Sequence, residues 1–322
     1  MNSIKELLIL RSGKSDWSMD VDDVHRPLKK RGKQAAQKMG IWMAQNGLFP
    51  DYVVCSPAKR ALDTAEKTCK ALGLHHLNIH HDRRVYQSGI EELFNVLYEI
   101  PDSVKRILLV GHNPELESLL QNLLMDIVIP KEGKLLPSGT LAQLQIKSDW
   151  SQLNKNAVNL VSLVYPDSLP NKFPFPAANG TECRTRPAYY YTQSAVIPYR
   201  IKKNVLEILI VSSSSNRHWT IPKGIKEPEL TPQESALKEA YEEAGVRGQI
   251  DNELLGQYKY VKWGNICTVD VYPMEVMEII DEHEWEESYR SRRWVSAKKA
   301  GRMLRYEEVS KMINELKEKL HV

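Results

Sequence analysis

At roughly 150 residues per domain, the 322-residue chain is long enough for about two domains. Its 42% hydrophobic and 26% charged residues are those of a globular protein and exclude a disordered, collagenous or disulfide-scaffold chain. The 44 Lys and Arg against 41 Asp and Glu leave a formal charge of +3, too small an excess to argue for nucleic acid or an anionic membrane as partner, so any anion binding must come from local clusters.

No apolar run approaches the ~18 residues of a membrane span. The run at residues 7–10 is too short for a secretory signal and ends at Arg11. Cys55, Cys69, Cys183 and Cys267 are scattered without a CxxC pair. Neither a disulfide framework nor a structural zinc site is expected, and reduced thiols in a cytoplasmic protein are.

In chain order, residues 7–10, 52–55 and 107–110 are short continuous apolar runs, the pattern of strands buried on both faces. Helical patterns occupy 32–45 and 57–71, and 141–146 alternates as an antiparallel edge strand would. Strand, helix, strand predicts a three-layer α/β domain about a parallel sheet over residues 1–170. The stretch 165–186, YPDSLPNKFPFPAANGTECRTR, has four prolines and no apolar period, and reads as a connector with the linker at 171–187. In the second domain, 188–322, residues 194–198 and 205–211 read as strands, followed by one helix and strands near 254–262 and 266–277. A last helix over 306–320 carries Val309, Met312, Ile313, Leu316 and Leu320 on one face. This predicts a mixed α+β domain.

Chemistry-bearing residues follow each buried run of the first domain. Residues 7–10 lead into Arg11-Ser12-Gly13-Lys14, residues 52–55 into Ser56-Pro57-Ala58-Lys59-Arg60, and residues 107–110 into Gly111-His112-Asn113-Pro114. Ligands of open α/β sheets bind outside the carboxyl ends of the strands. Two arginines and a histidine there would converge on an anion, and the guanidinium fork suits phosphate oxygens.

The segments LILRSGKSDW, HRPLKKRGKQAAQKMG, VVCSPAKRALDTA and LLVGHNP together resemble the SixA-type branch of the histidine phosphatase superfamily over about residues 4–170. The family's first motif is Arg-His-Gly or Arg-His-Ala, whose histidine accepts the phosphoryl group; here Ser12 stands in its place. Arg11, Arg60 and His112 match the remaining pocket positions. A serine hydroxyl needs an adjacent base, and its phosphate ester would hydrolyse slowly. The expectation is a pocket that binds phosphate or a nucleotide, with impaired phosphatase activity.

The strongest signal runs from Gly224 to Val246, GIKEPELTPQESALKEAYEEAGV. Thr231 is a good N-cap, Pro232 fits the first helical position, Glu234 completes a capping box and Gly245 fits the left-handed stop. At 100° per residue, Ala236, Leu237, Ala240, Tyr241 and Ala244 share one face, and Glu239, Glu242 and Glu243 fall within about 100° on the other. Three such carboxylates repel one another unless screened, or unless a hard divalent cation sits among them.

This segment resembles the Nudix box, Gly-x5-Glu-x7-Arg-Glu-U-x-Glu-Glu-x-Gly-U. Leu230, Lys238 and Ala240 depart from it, and the first and second of these read as a lost or weakened Glu–Arg pair. The resemblance extends over most of 189–322, through SAVIPYR, VLEILIVSSSSNRHWTIPKG and EESYRSRRW, to diadenosine and diphosphoinositol polyphosphate hydrolases. It implies a small-molecule phosphoanhydride substrate and Mg²⁺ or Mn²⁺ held by Glu242, Glu243 and the Gly224 carbonyl. Glu239 would orient or deprotonate water or share a metal. A further acid would come from Glu284, Glu286 or Glu287. The polyphosphate path would be lined by Ser213, Ser214, Arg217, Lys223 and Arg200; a plain hairpin turn at 212–215 is the competing reading. Trp219 and Trp294 read as core. The alternatives are an 8-oxo-dGTP-type nucleoside triphosphate sanitiser, a sensor of phosphate ligands, or a phosphohistidine phosphatase. No nucleic acid or membrane partner is expected, and a homodimer is compatible with the sequence.

Overall fold

The computed structural model describes residues 4–74, 78–124, 127, 133–227 and 230–322. Residues 228 and 229 of the Nudix-like segment therefore lie outside the described residues. The chain divides into two compact units, Met1–Phe173 and Pro174–Val322. No helix among the described residues is long and apolar enough to cross a membrane.

The first unit runs β1 (Lys5–Arg11), α1 (Lys30–Gln45), β2 (Tyr52–Cys55), α2 (Lys59–Leu72), β3 (Ile79–His81), α3 (Ile90–Tyr98), β4 (Arg106–Gly111), α4 (Glu115–Leu123), β5 (Leu141–Ile146) and β6 (Val158–Val164). Its sheet has the order β3-β2-β4-β1-β5-β6. The first four strands in that order are parallel, but β5 is antiparallel to β1, and β6 to β5. The sheet is parallel over its first four strands, β5 is antiparallel as its alternation suggested, and β6 rather than β5 forms the edge. Alternate residues of β1 explain its unbroken apolar run. Leu7 and Ile9 join a core that includes Leu93, Leu97, Leu116 and Leu120 of α3 and α4. Leu8 and Leu10 join another with Met39, Met43, Ala61 and Ala65 of α1 and α2. Both faces are covered by helices, so no strand position can be polar without cost, and three layers result.

The proline-rich stretch is not plain connector. It contains the antiparallel hairpin of β7 (Phe173–Ala177) and β8 (Gly180–Arg184). Arg184 stacks its guanidinium on the Phe175 ring at 3.2 Å.

The second unit continues with β9 (Thr192–Lys202), β10 (Val205–Ser212), β11 (Trp219–Thr220), β12 (Lys223–Ile225), α5 (Pro232–Ala244), β13 (Val246–Ile250), β14 (Gly256–Lys262), β15 (Asn265–Ile279), β16 (Arg292–Ser296), α6 (Ala297–Met303) and α7 (Glu307–Lys319). Its mixed sheet is built around β9, which pairs antiparallel with β10 and β12 and parallel with β15. The faces again bury different residues. Ile197, Ile208 and Ile210 pack with Val309, Met312, Ile313 and Leu316 of α7. Val196, Leu209 and Val211 pack with Ala236, Ala240 and Ala244 of α5. Three alanines let α5 lie close on the sheet, which brings its opposite, acidic side to the level of β12.

Candidate active sites

In the first unit, β2, β4 and β1 are neighbours and end together. The Ser12 N–H donates to Gly111 O at 2.9 Å and the Ser56 N–H to Val110 O at 3.0 Å. Arg11, Ser12, Arg60 and His112 consequently line one pocket of about 430 Å³. Burial lowers the pKa of Arg11, and Glu117 opposes it. The Arg11 side chain donates to Leu136 O, as does Asn113 Nδ2. Arg60 donates to Asp23 twice, Nη2 to the carboxylate at 2.8 Å and Nη1 to the backbone oxygen at 2.7 Å. Asp23 also holds Arg26 at 2.6 Å and accepts from the Tyr86 hydroxyl at 2.8 Å. Its carboxyl lies below the usual range, the Tyr86 and arginine contacts outweighing burial. His112 is pushed down to about 3, first by burial and then by the charge of Arg60, with Arg11 adding to it. The imidazole is thus neutral, with Ser12 Oγ 3.2 Å from Nδ1 and Ser56 Oγ 2.8 Å from Nε2.

Sequence reasoning missed four charged residues of this pocket: Lys14, Asp23, Arg26 and Lys134. Lys14 stands beside the first motif and was open to notice. Asp23 sits in a polar loop with no periodicity, and only the fold carries it to Arg60.

In the second unit, α5 begins and ends where local chemistry places it. The Thr231 side chain accepts from the Glu234 N–H, and Glu234 accepts from the Thr231 N–H. Gly245 adopts φ 58°, ψ 47°, the left-handed stop. The helix brings Glu239, Glu242 and Glu243 beside Lys223 and Gly224 of β12. A Cβ built on Gly224 would overlap the Glu239 carboxylate, so glycine is needed there for room. Burial raises the Glu239 pKa to about 8, with Glu243 and Glu242 adding repulsion. Glu243 is raised by burial against the pull of Lys223, whose N–H donates to Glu243 Oε2 at 3.0 Å. Glu242 is raised by burial, with Lys238 opposing and Glu286 and Glu287 reinforcing.

Arg290, unforeseen from the sequence, organises this end of the helix. It is only 8% exposed. Its Nη2 donates to Glu243 Oε1 at 2.6 Å, its Nη1 to Ser212 O at 2.9 Å, and its Nε to the Glu287 carboxylate. The family's Glu–Arg pair, expected here to be lost or weakened, has a counterpart. Lys238 reaches Glu227 at 3.6 Å and Glu242 at 3.7 Å, so Glu227 offers the carboxylate that Leu230 lacks. Among the described residues no three acidic, histidine or cysteine side chains converge tightly enough, as they stand, to hold an ion. Arg290 and the Lys223 N–H each donate to one oxygen of Glu243.

Ser213, Ser214 and Arg217 lie on the turn between β10 and β11. Ser213 N–H donates to His218 O at 2.8 Å, and its Oγ accepts the Arg217 N–H at 3.2 Å, so the turn holds itself as a hairpin would. Arg200 is paired with Glu207 across β9 and β10 at 2.7 Å and stacks on Trp294 at 4.1 Å. Trp219 and Trp294 pack against the two core clusters. Of the candidate further acids, Glu286 and Glu287 both act on Glu242. All four cysteines are free, and Cys183 alone is exposed.

The histidine phosphatase superfamily (branch 1) family model matches residues 7–86, and the NUDIX domain model matches residues 192–316. Nudix hydrolase 4 of Arabidopsis thaliana is 34% identical over 113 residues, which is 32% of this chain and 54% of that protein. Mitochondrial Nudix hydrolase 12 of the same plant is 31% identical over 144 residues, covering 38% of this chain and 70% of its own length. Human diphosphoinositol polyphosphate phosphohydrolase 3-alpha is 31% identical over 121 residues, 37% of this chain and 71% of that protein. The chain thus spans between about half and seven tenths of the length of these relatives. Among solved structures, the protein histidine phosphatase SixA complexed with tungstate aligns at 17% identity and TM-score 0.43, covering 50% of this chain and 97% of its own. A Caenorhabditis elegans Ap4A hydrolase aligns at 20% and 0.35, covering 40% and 98%. Through its second unit the chain belongs to the Nudix hydrolases, with a histidine phosphatase domain ahead of the Nudix domain.

Proposed function

We propose that the second unit is a Mg²⁺-dependent pyrophosphohydrolase of diadenosine polyphosphates or related, diphosphoinositol-like polyphosphates, and that the first unit binds phosphate with impaired phosphatase activity. One observation carries the hydrolase reading. Glu239 is wedged against Gly224 with its carboxyl raised to about 8, beside two further carboxylates on the same helix side. Like charges gathered at such cost fit a hard divalent cation as their missing partner. Glu239, Glu242, Glu243 and the Gly224 carbonyl would hold it, with Glu286 or Glu287 as the further acid. When bound, Mg²⁺ (or Mn²⁺) neutralises phosphate oxygens and lowers the pKa of water.

The chain's own groups supply the rest. Glu239, relieved of its proton by a bound cation, would orient or deprotonate the attacking water, or share the metal. Lys223 and Arg290 offset charge developing on the phosphoryl oxygens, and Arg290 keeps Glu243 aimed. Relatives named for diphosphoinositol polyphosphates, and the Ap4A hydrolase among structural neighbours, set the choice of substrates to try first. The test is a product-resolved screen of nucleotide and inositol anhydrides with Mg²⁺ and Mn²⁺. Turnover that persists when Glu242→Gln and Glu243→Gln are combined would exclude this site.

A further inference from the structure

Ser12, His112 and Ser56 form a chain of three buried side chains, each in hydrogen-bond reach of the next. Ser56 Oγ is itself fixed by the Ala58 N–H at 3.2 Å, and Tyr86 packs edge-on against the imidazole. A hydroxyl, an imidazole and a third group that orients the imidazole are the parts that activate a weak oxygen nucleophile. They stand in the pocket lined by Arg11 and Arg60. The base that serine chemistry requires is therefore present.

We infer that Ser12 accepts a phosphoryl group from a phosphomonoester, with His112 as its general base, and that the first unit retains the phosphate as a serine ester. This rests on the reading of the pocket as a phosphate site. Ser12 Oγ attacks phosphorus, and the Oγ–P bond forms as the bond from phosphorus to the leaving oxygen breaks. The Oγ proton passes to His112 Nδ1 and stays there as imidazolium, while the leaving oxygen, in line on the far side of phosphorus, departs as an aryl oxide or takes its proton from water. During the transfer the Nε2–H of the imidazolium donates to Ser56 Oγ. Arg11 and Arg60 carry the non-bridging oxygens. Hydrolysis repeats the step with water as nucleophile and Ser12 as leaving group, and is slow because an oxygen ester lacks the lability of a phosphorus–nitrogen bond. His112 also becomes a stronger base only once a dianion offsets the two arginines that depress it. Serine activation thus waits for the phosphoryl group to arrive.

The experiment mixes the full chain with p-nitrophenyl phosphate, follows nitrophenol release, and maps phosphorylated peptides after acid quenching. The expected result is a burst of about one equivalent of nitrophenol per chain, then turnover slowed at least about 100-fold, with an acid-stable phosphoryl group on Ser12. Ser12→Ala should abolish burst and adduct, and His112→Gln should slow the burst by about 10²- to 10⁴-fold. Calorimetry with inorganic phosphate runs alongside. Phosphate binding that Arg60→Ala weakens, without a Ser12 adduct, would overturn the nucleophile and leave the anion site standing. No phosphate binding would remove both readings, and an adduct that survives Ser12→Ala would also refute the assignment.

Discussion

Replacing Gly224 by alanine separates the chemistry of the Nudix unit from its stability. The φ of Gly224 lies outside the left-handed region, so the backbone accepts alanine without strain. What blocks the new methyl is the far end of the Glu239 side chain, which can swing. Restoring ordinary van der Waals separation moves that carboxylate by about 2 Å. A displacement of about 1 Å at a reacting group costs about 100-fold in rate, so kcat should fall by about 10²- to 10³-fold. Stability should hardly change. Alanine gains about 0.4–1 kcal/mol through the unfolded chain. An off-rotamer glutamate gives back about 0.5–1.5 kcal/mol. The net, within about 1 kcal/mol, corresponds to no more than about 4 °C in the melting temperature of a domain this size. Steady-state assays on the preferred anhydride, with calorimetry of the metal-free chain, measure both quantities. A variant that keeps kcat within about threefold, or whose second unit no longer folds, refutes the reasoning.

Three further outcomes follow from the same geometry. Arg290→Ala leaves a buried Glu243 without its guanidinium and should destabilise the second unit by about 3 kcal/mol in urea unfolding, with Arg290→Lys recovering only part because the fork is lost. Arg60→Ala should weaken inorganic phosphate binding about 10- to 100-fold by calorimetry, one charge-assisted contact being worth about 1.5–3 kcal/mol. His112 binds its proton at about 3 when folded against 6.5 when unfolded, so the unfolded chain holds more protons between those values. Stability of the first unit should therefore fall as pH drops from 6.5 toward 3, by at most about 4 kcal/mol, and His112→Gln should flatten that slope in a pH series of melting curves.

What the sequence made legible was governed by neighbours along the chain. The ends of α5 depend on Thr231, Pro232, Glu234 and Gly245, all local, and the structure has them as expected. The two-sided burial of β1 shows in its unbroken apolar run because both faces need the same residue types. Strand β6, with exposed residues along much of its length, lacks that signal, and so the strand beyond β5 was hidden. Asp23 and Arg290 escaped for another reason. Each acts on a partner 37 or 47 residues away through the fold, and an isolated charge in a loop looks like any other. Lys238 appeared to have lost its carboxylate because spacing pointed at Leu230, whereas the chain brings Glu227 round instead. For the serine stretch a family pattern suggested a phosphate path through Ser213 and Ser214, and in the structure the Ser213 hydroxyl also accepts the Arg217 N–H of its own turn.

If the first pocket takes anions as proposed, the grip of Asp23 on Arg60 and Arg26 would make it an ion exchanger rather than an empty receptor. An incoming anion does not meet bare guanidinium groups; it must outbid a resident counter-ion already seated on them. Monovalent anions such as chloride or a lone carboxylate bring no more charge than Asp23 offers and gain nothing by the swap. A phosphoryl dianion carries twice the charge and more acceptor oxygens, and Arg11, paired to no carboxylate among the described residues, remains to receive them. Selectivity in this pocket would thereby be set by the valence of the guest before its shape is consulted, with the threshold written into the molecule as a single aspartate.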